Sequence, residues 1–267
     1  MQNKIGVATS TYHFFSLEQT LEGISKGGYK CVEPLSVPGF CNHIIPSPEE
    51  MDEKGAGQML AKCKKYDLEL YCIGGHMRLM KGDSIGKFKK VVDCAVLLGA
   101  KYITTDAGEV RNKKDEIKFY SDMEVLGDYA REKDVKICFE LHGEWCNTGK
   151  ETAEVVRKID NSHVGINYDT GNAIFYGDTR PEEDIKYALP YINFLHVKDS
   201  GGVYQGYDFP VFGEGSIDFD SIFKSLENYD GPMSVELEFD GKEHPIEEIN
   251  DGVKKCRDFL KGYGYTE

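Results

Sequence analysis

No two of the eight cysteines stand in a CxxC pair, and none cluster; they are scattered at positions 31, 41, 63, 72, 94, 138, 146 and 256. That scatter excludes a disulfide framework and a structural zinc site, and it suits reduced thiols in a cytosol. No continuous stripe of lysine and arginine is present either: 32 basic residues face 46 acidic ones, a formal net charge of −14. Phosphate-backbone binding depends on positive surface, so a nucleic-acid partner is disfavoured. Nowhere do about 18 apolar residues follow one another. Met1-Gln2-Asn3-Lys4 runs into a short apolar strand with no charged leader before a long apolar segment, so neither a membrane span nor a secretory signal is expected. A soluble, cytoplasmic protein is the expectation. A GxxxxGK[ST] phosphate loop is missing; Lys198, Arg78 and Arg111 are no more than candidate phosphate anchors near strand ends, which favours a non-phosphorylated substrate.

What is present is enough to build a large core. The 267 residues are 40% hydrophobic and 12% aromatic, which sets aside disorder and fibrous repeats. Short β-rich runs alternate with helical periodicity from end to end. Strands are expected at 5–8, 31–34, 68–73, 102–105, 135–140, 164–169, 194–197 and 233–237. Helices are expected to start behind Ser16 and at Ser47-Pro48-Glu49-Glu50, and to occupy 84–98, 116–133, 152–159, 181–189, 219–228 and 245–260. Eight strands, each followed by a helix and uninterrupted by a Pro-, Gly- or Ser-rich linker, spell a (β/α)8 TIM barrel over residues 1–267 as a single domain. An open doubly wound sheet is the alternative, but the first strand is not followed by GxGxxG.

In such a barrel, chemistry collects where strands end. Four apolar segments end in an ionisable residue: Ile137-Cys138-Phe139-Glu140, Gly165-Ile166-Asn167-Tyr168-Asp169, Phe194-Leu195-His196 and Ser234-Val235-Glu236. Charge there is costly unless paired or ligated. The intervals of 29, 27 and 40 residues each hold one strand-helix unit, so four successive strands aim Glu140, Asp169, His196 and Glu236 at one point. Three carboxylates and an imidazole, without thiolate, suit a hard or borderline divalent ion: Mn²⁺, Mg²⁺, Co²⁺ or Zn²⁺, with Mn²⁺ preferred. Period-two alternation puts His142 on the face of Glu140 and Lys198 on the face of His196. His13, His76, His142 and His196 all follow expected strands, and His43 lies in the loop after the second. Tyr12, Phe14, Trp145, Tyr204 and Tyr207 fall near the expected mouth, where they would stack on a sugar ring or an attached aromatic group, or simply pack the loops. Gly82-Asp83-Ser84-Ile85-Gly86 matches the G-x-S-x-G nucleophile elbow, but no strand runs into it and Ser84 reads as a helix N-cap.

With these residues in place, the chain resembles the xylose isomerase-like TIM barrels, the sugar phosphate isomerase/epimerase superfamily that also contains endonuclease IV. The matching segments are Leu17 to Pro34, Phe139-Glu140-Leu141-His142, Tyr168-Asp169-Thr170-Gly171-Asn172, His196-Val197-Lys198-Asp199, Gly213 to Phe219 and Gly231 to Glu236. The resemblance implies one divalent metal held by Glu140, Asp169, His196 and Glu236, with Glu140 and Glu236 also the acid/base pair of the epimerase members. Glu238 is the rival ligand on the eighth strand. The superfamily's Asp-x-x-His reads Asp169-Thr170-Gly171-Asn172 here. The Glu and Arg of the tagatose epimerase-like branch are replaced by Cys146 and Gly202, and the further histidines of endonuclease IV are absent.

The expected function is therefore a divalent-metal-dependent isomerase or epimerase of a sugar or keto-sugar, removing a proton next to a metal-bound carbonyl. Glu140, Glu236 and His142 are the candidate catalytic residues, and His76, Asn172 and Lys198 the candidate substrate contacts. The alternative is a metal-dependent lyase, of dehydratase or C-glycoside-cleaving type, acting on a keto-sugar. A third reading is a non-catalytic sugar-binding barrel. A small carbohydrate is the expected partner, with no nucleic acid or membrane, and the resemblance is compatible with a homo-oligomer.

Overall fold

The computed structural model describes residues 4–76 and 78–265; Met1, Gln2 and Asn3 of the N-terminal stretch lie outside them. Eight parallel strands form the barrel: β1 (Ile5–Ala8), β2 (Cys31–Glu33), β3 in two pieces (Glu69–Leu70 and Cys72–Gly74), β4 (Tyr102–Thr105), β5 (Lys136–Glu140), β6 (Val164–Asp169), β7 (Ile192–Val197) and β8 (Met233–Val235). Each pairs in parallel with its neighbours in chain order, and β8 returns to β1 through Ile5 opposite Met233. The break at Tyr71 closes the ring: the first piece of β3 bonds β2, the second bonds β4, and a bridge between Leu35 and Gly74 spans the seam.

The strands are almost wholly buried, as expected when helices cover the outside of a parallel sheet. Alternation then decides what fills the inside. Cys31, Cys72, Cys138 and Phe194 join Tyr71 in a cluster separate from the main core. Two residues further along each strand, Glu33, Glu140 and His196 stand one layer up. The Tyr71 hydroxyl donates to Met233 O at 2.7 Å, and the Tyr71 and Phe194 rings stack at 5.7 Å. An apolar plug of thiols and rings is thus the floor on which the polar layer rests. All eight cysteines are buried free thiols, in line with their scattered placement.

Most helices begin where a side chain caps them. Ser16 and Gln19 form a capping box ahead of Leu17–Lys26. Two starts differ from the sequence reading. Ser47-Pro48-Glu49-Glu50 closes only a turn, with Glu50 N–H donating to Ser47 O, and the helix begins at Glu53 behind Asp52, whose carboxylate accepts from Gly55 N–H at 2.7 Å. Asp83, not Ser84, caps Ser84–Leu98 by accepting from Gly86 N–H at 2.9 Å. Ser84 instead donates to Asp122 at 2.6 Å, which places it between two helices as a packing contact. Other helices run 113–132, 149–159, 181–188, 219–225 and 246–262, shifted from expectation at their ends, and a short one at 170–175 follows β6 directly. Among the described residues, no helix is long and apolar enough to cross a membrane.

Candidate metal centre

Register brings the four strand-end residues together. His196 on β7 lies beside Asp169 on β6, and Glu140 on β5 beside Asn167. Glu236 follows β8 directly, its N–H donating to Val197 O at 3.0 Å. One ligand atom from each of Glu140, Asp169, His196 and Glu236 falls within 4.8 Å of all the others. His196 Nδ1 is central: it lies 3.4 Å from Glu140 Oε2, 3.5 Å from Glu236 Oε2 and 3.8 Å from Asp169 Oδ2.

Each of these side chains is anchored through one atom and leaves the other pointing inward. Asn172 Nδ2 donates to Glu140 Oε1 at 2.8 Å, and the Asn172 N–H donates to Asp169 Oδ1 at 2.8 Å. Ser10 donates to Glu236 Oε1 at 2.5 Å, and His196 Nε2 meets Glu33 Oε2 at 2.9 Å. The inward atoms Asp169 Oδ2, His196 Nδ1 and Glu236 Oε2 are buried and make no well-directed hydrogen bond, and the two oxygens are countered by the Lys198 ammonium. Buried polar atoms are normally satisfied. Oriented ligands whose inward atoms converge on one point, with an O,O,O,N donor set, fit a hard or borderline divalent cation, with the outer contacts fixing direction and tautomer.

Glu33, bonded to His196 at the cluster, is absent from the residues expected from the sequence. It is fully buried, as is His196, and its other oxygen accepts from Thr104 at 2.5 Å. It too ends a strand, Cys31-Val32-Glu33, so the signal that singled out the other four was present in it.

Lys198 is buried at 2% exposure and is not a solvated rim group. Its ammonium lies 2.6 Å from Glu236 Oε2, 3.0 Å from Glu238 Oε2 and 3.4 Å from Asp169 Oδ2, above the Phe209 ring. Glu238 therefore pairs with Lys198 and stands outside the four-residue cluster. The segment Asp169-Thr170-Gly171-Asn172 holds this arrangement. The Thr170 hydroxyl bonds the Lys198 backbone at both O and N, and a Cβ at Gly171 would meet the Lys198 stem at 2.8 Å. The next residue, Asp199, accepts backbone N–H groups from Ser200, Gly213 and Gly215 at 2.8–3.0 Å. It thereby fixes the long loop that carries Tyr207 and Phe209 over the site.

Crowding of carboxylates sets the protonation. Burial, with Glu236 and Glu140 nearby, raises Asp169 to about 7 despite Lys198. Burial opposes charge on His196, but Glu33, Glu140 and Glu236 outweigh it and hold the imidazole well above its usual range. Lys198 is likewise raised, burial being overcome by Asp169, Glu236 and Glu238. His142 goes the other way: burial lowers it more than Glu140 raises it. Its Nε2 meets the Tyr176 hydroxyl at 2.9 Å.

A cavity of about 250 Å³ opens above the cluster, lined among others by His76, Glu140, His142, Asn172, Lys198 and Glu236. It is slightly below the usual span of ligand pockets, ~300–1,000 Å³, and suits one small ring. All candidate catalytic and substrate residues thus face one space. His76 Nε2 is 3.2 Å from Glu140 Oε2 and, like His142, sits at the edge of that space. The remaining expectations scatter. Arg78 is buried against Ser36 and Glu49, so it is no phosphate anchor, and Arg111 pairs with Glu109 at the surface. Tyr12 is buried and donates to Asn250, Phe14 is exposed beside His13, and His43 is held by Phe15 O and Cys41. Tyr207 lines the cavity, and Trp145 lies outside its lining.

A parallel barrel with four ligand-type side chains converging at the strand ends defines a class of (β/α)8 proteins whose strand ends could hold a metal ion. Within that class the chain belongs to the xylose isomerase-like TIM barrel family, whose model matches residues 21–261. An inosose dehydratase of Clostridium botulinum (strain Eklund 17B / Type B) is 33% identical over 137 residues, 43% of this chain and 44% of that protein. The chain thus spans under half the length of that relative. An inosose dehydratase of Serratia proteamaculans (strain 568) is 27% identical over 256 residues, 79% of this chain and 82% of that protein. Among solved structures, D-psicose 3-epimerase crystallised in the presence of D-fructose superposes with a TM-score of 0.76 over 97% of this chain and 99% of that one, at 15% identity. At that identity the likeness is one of fold.

Proposed function

We propose that the chain is a divalent-metal-dependent isomerase or epimerase of a sugar or keto-sugar, acting by proton abstraction beside a carbonyl. The observation that carries this reading is the convergence of inward ligand atoms of Glu140, Asp169, His196 and Glu236 within 4.8 Å of one another, at the floor of a cavity sized for one ring. Glu140, Asp169, His196 and Glu236 would hold the ion, with Mn²⁺ preferred among Mn²⁺, Mg²⁺, Co²⁺ and Zn²⁺. When bound, the ion supplies Lewis-acid polarisation of a substrate carbonyl, which acidifies the neighbouring C–H.

The chain's own groups do the rest. Glu140 and Glu236 reach the cavity from β5 and from the end of β8, so one carboxylate takes the proton and the other returns it on a different side. His142, kept neutral by burial and hydrogen-bonded to Tyr176, is a third proton carrier at the cavity wall. The Lys198 ammonium stays charged and counters negative charge as it develops on substrate oxygen. His76 and Asn172 present polar edges to sugar hydroxyls. Phe175, Tyr207 and Phe209 give the cavity apolar walls.

A second reading, a metal-dependent lyase that takes the same proton and expels a β-substituent, is favoured by one observation: both curated relatives above are named inosose dehydratases. Incubating the Mn²⁺-supplied protein with keto-sugars and inososes in deuterated water, with mass spectrometry of products, tests both. A product of unchanged formula carrying carbon-bound deuterium supports the isomerase or epimerase. Loss of water or release of a substituent supports the lyase, and neither exchange nor product overturns both.

A further inference from the structure

We propose a second ligand subsite, a cleft between His142 and Trp145 that takes a second ring joined to the sugar, so that the substrate is a ring-substituted sugar rather than a free monosaccharide. This assignment rests on the sugar-processing reading of the main cavity.

The cleft measures about 280 Å³, much the same as the main cavity, and is lined by Lys81, Asp106, Glu109, Arg111, His142 and Trp145 among others. Asp106 and His142 line both spaces. A group attached to a sugar in the main cavity and directed past His142 would therefore enter the second space. On the other side of the main cavity, Phe175, Tyr207 and Phe209 pack ring against ring at 5.0–5.8 Å, which leaves less room for a substituent there.

Trp145 is held in place ahead of any ligand. His142 N–H donates to Cys146 O at 2.9 Å, closing a tight turn through Gly143 at φ +77°. Cys146 is buried, and the indole stands edge-on against Phe119 at 4.6 Å and Tyr120 at 6.1 Å. The turn and the aromatic contacts fix the indole beside His142, half-buried and part of the cleft wall. A preorganised aromatic surface selects for another ring. The rim cations do not select for phosphate: Arg111 pairs with Glu109 at 2.6 Å, and Lys81 approaches the same residue at 3.9 Å. The shared chemistry is thus an uncharged ring, contributed by either an aromatic aglycone or a second sugar.

Trp145 is the chain's single tryptophan, so intrinsic fluorescence reports on this cleft directly. Titrations of the Mn²⁺-supplied protein with 4-nitrophenyl β-D-glucopyranoside, cellobiose, D-glucose and 4-nitrophenol separate the sources. Saturable quenching by the nitrophenyl glucoside, about tenfold tighter than by D-glucose or 4-nitrophenol, is expected for an aromatic second ring. The same advantage for cellobiose marks a sugar ring. Calorimetry on Trp145→Ala should then show about tenfold weaker glycoside binding with D-glucose binding unchanged, while Trp145→Phe retains the advantage. Metal content and melting temperature equal to wild type show that both variants are folded. Equal affinity for glycosides and D-glucose, or a glycoside advantage that survives Trp145→Ala, overturns the subsite. Failure of the sugar-processing reading shows separately, as absence of bound metal and of solvent exchange.

Discussion

Glu33→Gln isolates the contribution of a single buried charge to metal binding. In the native chain Glu33 accepts from His196 Nε2 at 2.9 Å and from Thr104 at 2.5 Å, and the carboxylate and imidazole are both fully buried. Glutamine keeps the volume and the acceptor for His196, and its amide donates to the Thr104 oxygen, so shape and hydrogen bonds survive while the negative charge is lost. The imidazole then becomes a poorer donor at Nδ1. Loss of an outer contact of this kind weakens metal affinity by about 10–100-fold, or about 1.4–2.7 kcal/mol. Competition of metal-stripped protein against a fluorescent chelator for Mn²⁺ gives the affinity, and thermal melts without metal check that the fold is intact. Glu33→Ala is the contrast: it leaves His196 and Thr104 without partners, at about 1–3 kcal/mol each, so it lowers stability as well. An affinity for Glu33→Gln within twofold of wild type, with both melts unchanged, refutes the assignment of Glu33 as the residue that orients and charges the ligand histidine.

Lys198→Met should bind Mn²⁺ at least about tenfold more tightly than wild type by the same competition, because the ammonium now shares Asp169 Oδ2 and Glu236 Oε2 with the ion; like charges ~5 Å apart repel by several kcal/mol at an effective dielectric near 20. Unchanged or weaker binding contradicts that competition. Gly171→Ala should be destabilised by about 1–3 kcal/mol in chemical denaturation, since the new Cβ meets the Lys198 stem at 2.8 Å; a stability gain would show that the stem moves aside freely. Metal affinity of the stripped protein should fall as pH drops below about 7, where the Asp169 carboxyl and the His196 imidazolium both carry protons that the ion must displace. An affinity flat between pH 5 and 8 contradicts that protonation.

The metal-type cluster was legible in the sequence because it follows from two simple periodicities. Charge at the end of an apolar run is expensive, and strand spacing puts four such ends at one level. Alternation likewise put His142 on the face of Glu140 and Lys198 on the face of His196, and both His142 and Lys198 line the cavity. Glu33 ends a three-residue strand, and its partner His196 lies 163 residues away, so no local spacing ties it to the cluster. Glu236 and Glu238 share a face and both pair with Lys198; the Ser10 hydrogen bond and the nearness of His196 set Glu236 apart. Helix starts failed where two capping residues compete: Asp83 beside Ser84, and Ser47 ahead of Asp52. In each case the residue that caps is the one whose oxygen reaches the N–H three residues on, and the serine's hydroxyl is used elsewhere. The sequence places Tyr12 near the mouth, His43 in a loop and Arg78 as a phosphate anchor, but packing against Asn250, Phe15 and Ser36 fixes them in structural roles.

The central claim is that Glu140, Asp169, His196 and Glu236 hold one divalent ion. Elemental analysis of the purified chain beside Glu140→Gln and His196→Ala, prepared identically, tests it most directly. About one divalent ion per chain in wild type, lost in both folded variants, is the expected result. No bound metal in wild type, with no rise in melting temperature on adding Mn²⁺, Co²⁺, Mg²⁺ or Zn²⁺, would contradict it.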